Sequence, residues 1–343
     1  MNERIAGEQH DTLDGVPEPA ENPRLFGHKA VAATLIQSMT GRRPPQGIVL
    51  AGPRGIGKAT LAFHLANNLV GAGEVGALDP TASTFRQIAM GAHPSVLHLT
   101  RPFDEKSKKF KTVLAVSEIR RLGQFLSMTA PGGGWRVVIV DPADDLNINA
   151  ANALLKNLEE PPPRTLFLLV AHHPGALLPT VRSRTQTVRL SPLSLEDLTS
   201  ALGSVAEMPD LEERAMATLW RRSAGSVRQA ILLTQHGGLE IAGELDNLVR
   251  AAAIDIGVAH KLADAVSARG QTERFSMFND HALEILAAAA ADSALNHDLK
   301  RAGRLSSAWQ EARMAISETE EYNLDQKQHA LAMINRLTAA LGH

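Results

Sequence analysis

The sequence predicts an α/β domain built on a mostly parallel sheet, followed by a small helical domain and an all-helical C-terminal domain. Four short β-rich runs alternate with helical patterns between residues 23 and 190. A glycine-rich loop follows the first of these runs and opens a helix, and after Leu190 the strand patterns stop. Strands that alternate with helices are typical of a parallel sheet covered on both faces.

The length and composition limit the class of protein. The chain of 343 residues allows two or three domains, and 44% apolar residues can form a sizeable core. No apolar run is long enough for a membrane span, and the polar N-terminus does not look like a secretion signal, so we expect a cytoplasmic protein. A net charge of −2 and 4% aromatic residues argue against an autonomous nucleic-acid binder. The absence of cysteine excludes disulfides and thiolate metal sites.

The domains are predicted from changes of pattern along the chain. Residues 1–22 are acidic and lack apolar periodicity, which predicts a flexible leader. The α/β domain covers 23–190, with buried strands over 47–51, 95–99, 136–140 and 166–170 and helices that include 58–69 and 149–158. The small helical domain covers 191–238, with Ser194 at the start of its first helix and Gly237-Gly238 at its end. The helical domain of 239–343 includes a last helix for which Asn323 is the expected N-cap.

The loop after the first strand matches the spacing of a phosphate-binding P-loop. Its glycines let backbone N–H groups surround phosphates, and its lysine reaches the outer ones. A P-loop normally has Ser or Thr after the lysine, and its hydroxyl binds Mg²⁺; here that residue is Ala59. The next residue, Thr60, is rotated by about 100° around the helix and is expected to point elsewhere. We expect ATP or ADP as the ligand, with a loop that has lost its nucleotide as the alternative. The candidate nucleotide contacts in this loop are Gly52, Gly55, Gly57, Lys58 and Thr60.

A second candidate nucleotide contact ends the strand at 136–140. Asp141 stands where a ligand of Mg²⁺ belongs beside a P-loop, although Asp-Pro-Ala-Asp is also typical of a turn. Hydrolysing relatives commonly carry a glutamate at the next position, and here it is Pro142, which has no side-chain base. Two parts of the hydrolytic machinery are therefore missing, which predicts a site with no or negligible turnover of nucleotide.

With these motifs placed, the chain resembles the clamp-loader branch of the AAA+ ATPases. Within that branch it is most similar to the clamp-loader subunits of bacterial DNA polymerase III. Asn-Ala-Leu-Leu-Lys at 152–156 followed by Leu-Glu-Glu-Pro-Pro at 158–162 is the most specific part of the match. The other matching segments include 25–28, 52–60, 91–94, 133–136, 141–144, 183–185, 225–228 and 323–325. The resemblance implies an AAA+ domain, a helical lid and a collar domain that assembles a pentamer.

The resemblance also implies roles for two arginines. Arg184 lies in a segment similar to the family's Ser-Arg-Cys motif, whose arginine reaches the ATP site of a neighbouring subunit; Thr185 replaces the cysteine. Without the resemblance Arg184 would be interpreted as a surface charge. Arg228 is similar to the lid arginine that contacts nucleotide in the same chain. The four-cysteine zinc module of many relatives cannot form here, so we expect no zinc and no structural metal site.

The leading hypothesis is a non-hydrolysing stator subunit of a clamp loader. Its implied partners are gamma/tau motor subunits, a delta subunit, the sliding clamp, and primer–template DNA within the assembly only. One alternative is an active motor ATPase of the gamma/tau type, which would need a hydroxyl beside Lys58 and a base beside Asp141. The other is a P-loop kinase acting on a small molecule. The basic segment 101–111 is interpreted as a solvated loop, with contact to DNA phosphates as the alternative.

Overall fold

A computed structural model describes residues 4–71, 73–128, 131–206, 212–235, 237–251 and 254–342. The chain divides into two compact units, Met1–Ala230 and Ile231–His343. The helices over 195–223 belong to the first unit, and the sequence-based boundary at residue 238 falls later than this division. No described helix is long and apolar enough to span a membrane.

A five-stranded parallel sheet forms the centre of the first unit. Its strand order is β4-β7-β8-β1-β9, and two short hairpins, β2-β3 and β5-β6, lie outside it. The strands in the described residues are β1 Gly47–Ala51, β2 Gly73–Glu74, β3 Ala77–Leu78, β4 Val96–Leu99, β5 Phe103–Asp104, β6 Lys109–Phe110, β7 Arg136–Val140, β8 Thr165–Ala171 and β9 Gln186–Arg189. The fold class predicted from the sequence is therefore confirmed.

Helices cover both faces of the sheet because its central strands are apolar on both sides. Ile48 and Leu50 of β1 pack in one core cluster, and Val49 and Ala51 pack in the cluster on the opposite face. The helices in and at the end of this unit are α1 Lys29–Met39, α2 Lys58–Leu69, α3 Ser83–Ala89, α4 Val116–Ser127, α5 Ile148–Glu159, α6 Pro179–Arg182, α7 Leu195–Val205, α8 Glu213–Ser223 and α9 Val227–Gln235. Helix α2 contributes to the first cluster, and α4 and α5 to the second.

The N-terminal segment differs from its prediction as a flexible leader. Residues 1–3 lie outside the described residues, but within 4–22 the side chains of Ile5 and Ala20 pack in a core cluster of the α/β domain. The Arg4 guanidinium donates to the carbonyls of Leu13 and Val16. The Glu21 carboxylate accepts hydrogen bonds from the backbone N–H groups of Ile5 and Ala6. A few buried side chains and charged hydrogen bonds hold the segment, and these leave no periodic pattern in the sequence.

The second unit consists of helices in its described part. They are α10 Gly238–Arg250, α11 Ile256–Ser267, α12 Thr272–Leu295, α13 Leu299–Glu321 and α14 Gln326–Leu341. A buried His329 joins three of them, since its ring nitrogens lie 3.0 Å from Asn279 Oδ1 and 2.8 Å from Thr319 Oγ1. The N-cap of α14 is Asp325, whose side chain accepts from Gln328 N, so the expected cap at Asn323 is wrong.

Candidate functional site

The P-loop connects the carboxyl end of β1 to the first turn of α2. Gly57, with φ of 95°, is the N-cap of that helix. The turn packs against the start of α9, where Val227 N donates to Gly55 O at 3.0 Å and Ser226 Oγ donates to Arg54 O at 2.9 Å. A Cβ atom on Gly55 would lie 2.4 Å from Ser226 Oγ, so the close approach requires glycine. The loop therefore lies where parallel α/β sheets bind ligands.

Lys58 is buried at the start of α2 and points back into its own loop. Its ammonium donates to Gly52 O at 2.7 Å and to Pro53 O at 2.6 Å. Burial lowers the pKa of Lys58 to about 8, although the carboxylates of Asp141 and Asp144 favour its charged form. The lysine that would bind outer phosphates is thus engaged by carbonyl groups. Thr60, the remaining candidate in the loop, is half-buried in the first turn of α2.

Asp141 follows β7 at the same edge of the sheet as the P-loop. Burial and the nearby Asp11 carboxylate together raise the pKa of Asp141 to about 7, against the opposing effect of the Lys58 ammonium. Asp144 serves the local fold, because its carboxylate accepts from His172 N at 2.5 Å and His173 N at 3.1 Å.

Asp11 of the N-terminal segment lies between two arginines of the P-loop site. Its carboxylate is 3.2 Å from Arg54 Nη2 and 3.9 Å from Arg228 Nη1, and its carbonyl accepts a hydrogen bond from Arg228. Burial disfavours the charged form of Asp11, but Arg54, His10 and Arg228 together hold its pKa well below the usual range. Arg228 thus lies beside the P-loop, and its contact with nucleotide stays a prediction. Sequence reasoning missed Asp11 and Arg54; only Arg54 carried a signal, as a basic residue inside the loop.

Arg184 lies at the opposite edge of the sheet from its own P-loop. A Cβ on Gly47, the first residue of β1, would be 3.6 Å from Arg184 O, whereas the P-loop follows the last residue of that strand. Four residues of extended chain separate these ends by about 13 Å. The guanidinium forms an ion pair with Glu159 Oε1 at 2.7 Å and donates to Thr180 O at 3.1 Å. Arg184 is therefore displayed away from the nucleotide site of its own chain.

The basic segment 101–111 forms an exposed hairpin of β5 and β6. Phe103 and Phe110 pack edge to face across it, with ring centroids 5.2 Å apart. Lys108 pairs with Glu105 at its tip. The hairpin thus has an apolar contact and an ion pair of its own. Among the described residues, no group of three or more histidine, aspartate or glutamate side chains could hold a metal ion.

A P-loop between β1 and α2, an acidic residue after β7 and an arginine at the start of α9 define a P-loop nucleotide-binding domain with a helical extension. A family model described as DNA polymerase III, delta subunit matches residues 27–194. The DNA polymerase III subunit delta' of Pseudomonas aeruginosa is 35% identical over 248 residues, which cover 69% of this chain and 70% of that protein. The chain therefore belongs to the delta prime family of clamp-loader subunits.

Two further relatives with lower coverage are also DNA polymerase III subunits. The DNA polymerase III subunit delta' of Bacillus subtilis is 30% identical over 60% of this chain and 59% of that protein. The DNA polymerase III subunit tau of Escherichia coli is 28% identical over 61% of this chain but only 32% of that longer protein. The resemblance to clamp-loader subunits seen in the sequence is therefore confirmed.

Proposed function

We propose that this chain is the non-hydrolysing, stationary subunit of a clamp loader and that Arg184 completes the ATP site of a neighbouring subunit. The observation that carries the proposal is the position of Arg184. It lies at the amino edge of the sheet, exposed and away from the P-loop at the carboxyl edge of the same sheet. From that place the guanidinium cannot reach a phosphate bound at the P-loop of its own chain, so it is available to a nucleotide bound by a neighbouring subunit.

The chemistry of the P-loop supports the absence of turnover. Ala59 provides no hydroxyl for Mg²⁺, and Pro142 provides no base to polarise an attacking water. The glycines still fit the phosphates of ATP or ADP, but the donor set does not fit a tightly held Mg²⁺ ion.

The surroundings of Arg184 suit a finger supplied in trans. Its planar guanidinium matches the charge that develops on a transferring phosphoryl group. The Glu159–Arg184 pair is half-exposed, and such pairs contribute at most about 1 kcal/mol. Exchange of Glu159 for a phosphate of the neighbour therefore costs little.

The proposed partners follow from the family. They are motor subunits of the gamma/tau type, a delta subunit and the sliding clamp, with primer–template DNA bound by the assembly as a whole. We place this activity in the cytoplasm, where replication is carried out.

The proposal is tested by the DNA- and clamp-stimulated ATPase of the loader reconstituted with its partner subunits. With Arg184→Ala, turnover at the neighbouring site should fall by about 10³–10⁵, the range found for fingers supplied in trans. Arg182→Ala, at the exposed last residue of α6 and two positions before Arg184, is the matched control and should leave the rate unchanged. An unchanged rate with Arg184→Ala in an intact assembly would refute the finger. ATP turnover by the isolated chain that disappears with Lys58→Ala would refute the stationary role.

A further inference from the structure

The cationic groups of the P-loop site already have an anionic partner within the chain. Asp11 Oδ2 is 3.2 Å from Arg54 Nη2, inside the P-loop, and 3.9 Å from Arg228 Nη1, at the start of α9. The Asp11 carbonyl also accepts a hydrogen bond from Arg228. The Asp11 carboxylate also raises the pKa of both Lys58 and Asp141, so it favours the charged form of the lysine and the neutral form of the aspartate. A single acidic side chain thus stands among the groups that a nucleotide phosphate would need.

The turn that presents Asp11, residues 9–13, is a built structure. Gln9 N donates to Thr12 Oγ1 at 2.7 Å, and Thr12 N donates back to Gln9 O at 3.2 Å. The Thr12 hydroxyl donates to the Glu18 carboxylate. Leu13 is buried, and its carbonyl accepts from Arg4. These contacts hold the carboxylate of Asp11 at one place beside the P-loop.

A phosphate and a carboxylate compete for the same guanidinium groups. Arginine binds both anions by the same planar arrangement of N–H donors. If a triphosphate bound at the P-loop with Asp11 in place, the two anions would share a partly buried site and repel each other. Gln9 Oε1 is buried without a hydrogen-bond partner among the described residues, so release of the turn would return this atom to water. The turn can therefore detach from the P-loop, but only when another anion replaces the Asp11 carboxylate at the two arginines.

We propose that residues 9–13 close the nucleotide site of this chain and that Asp11 is a built-in substitute for a nucleotide phosphate. ATP or ADP binds only by displacing this turn, so Asp11 decides whether the P-loop holds nucleotide. This inference rests on the proposed function only in treating the P-loop as a site without turnover, and it does not involve Arg184.

The test is the affinity of the full chain for ATP and ADP, measured by isothermal titration calorimetry. Asp11→Asn keeps the shape and the carbonyl contact but removes the charge, so it should bind ATP at least tenfold more tightly than the unmodified chain. Asp14→Asn makes the same charge change at an exposed position three residues along the segment and should bind like the unmodified chain. Equal affinities for all three proteins would overturn the proposal.

A second measurement needs no substitution and covers the case in which Asp11→Asn folds poorly. Amide hydrogen exchange of residues 9–13 in the unmodified chain should become faster when millimolar ATP is added. Unchanged or slower exchange at ATP saturation would overturn displacement. Failure of the two proposals is distinguishable: ATP hydrolysis by the unmodified chain would refute the stationary role but not the closure, and equal binding by all three proteins without hydrolysis would refute the closure alone.

Discussion

Acid should destabilise this protein through His64, a fully buried residue of α2. Its Nδ1 accepts from Gly76 N at 3.0 Å, so the ring is neutral and its Nε2 donates to Asn22 O at 3.0 Å. Burial lowers the pKa of His64 from 6.5 to about 4. Between these values the unfolded chain binds a proton that the folded chain does not, so the free energy of unfolding falls as pH falls. The lowered pKa corresponds to about 3 kcal/mol of stability, which is present in full above pH 6.5 and is lost progressively as the pH falls to 4.

The assay is urea unfolding of the first unit at several pH values from 7.5 to 4.5, with the unmodified chain and His64→Gln. Glutamine keeps a donor for Asn22 O and removes the titration. Buried His98 and His329 also have pKa values lowered to about 4, but they are present in both proteins. The unmodified chain should lose about 2–3 kcal/mol more than His64→Gln between pH 7.5 and 4.5. Equal losses in the two proteins would refute the reasoning.

Two further predictions concern stability of the first unit in the same urea assay at pH 7.5. Leu168→Ala removes a fully buried side chain from the central strand β8 and should cost about 2–5 kcal/mol; a loss below about 1 kcal/mol would show that the core closes around the cavity. Asn147→Ala removes the N-cap of α5, where Oδ1 accepts from Ala150 N at 2.9 Å, and should cost about 1 kcal/mol. Asn147→Ser keeps a capping oxygen and should cost less, so equal losses for both would contradict the capping role.

The sheet was predictable wherever a strand is buried on both faces. The runs at 47–51 and 136–140 are apolar after their first residues, Gly47 and Arg136, and become β1 and β7 with the predicted bounds. Strand β9 was missed because it lies at an edge of the sheet and reads Gln-Thr-Val-Arg, with three of its four residues exposed. A strand whose side chains face water leaves no apolar run.

The candidate site was predictable only where its residues are adjacent in the chain. The spacing of the P-loop fixes its glycines and Lys58 because one loop must surround a phosphate. Asp11 is 43 residues from Arg54, and no local pattern connects them. The cap of α14 shows the same limit at short range. Asn323 and Asp325 are both good caps by residue type, and in the structure Asp325 is the one whose side chain accepts from the first turn, at Gln328 N.

The closure of the P-loop by residues 9–13 has a consequence for how the chain is made. The hydrogen bond between Arg228 and the Asp11 carbonyl joins residues 217 positions apart. Ribosomes add about 5–20 residues each second, so about 10–40 s pass between synthesis of the first partner and the second. During that interval β1 also lacks its partner strands for some time, because β8 and β9 lie more than a hundred residues downstream. The turn of residues 9–13 thus reaches its final place only after Arg228 has been made.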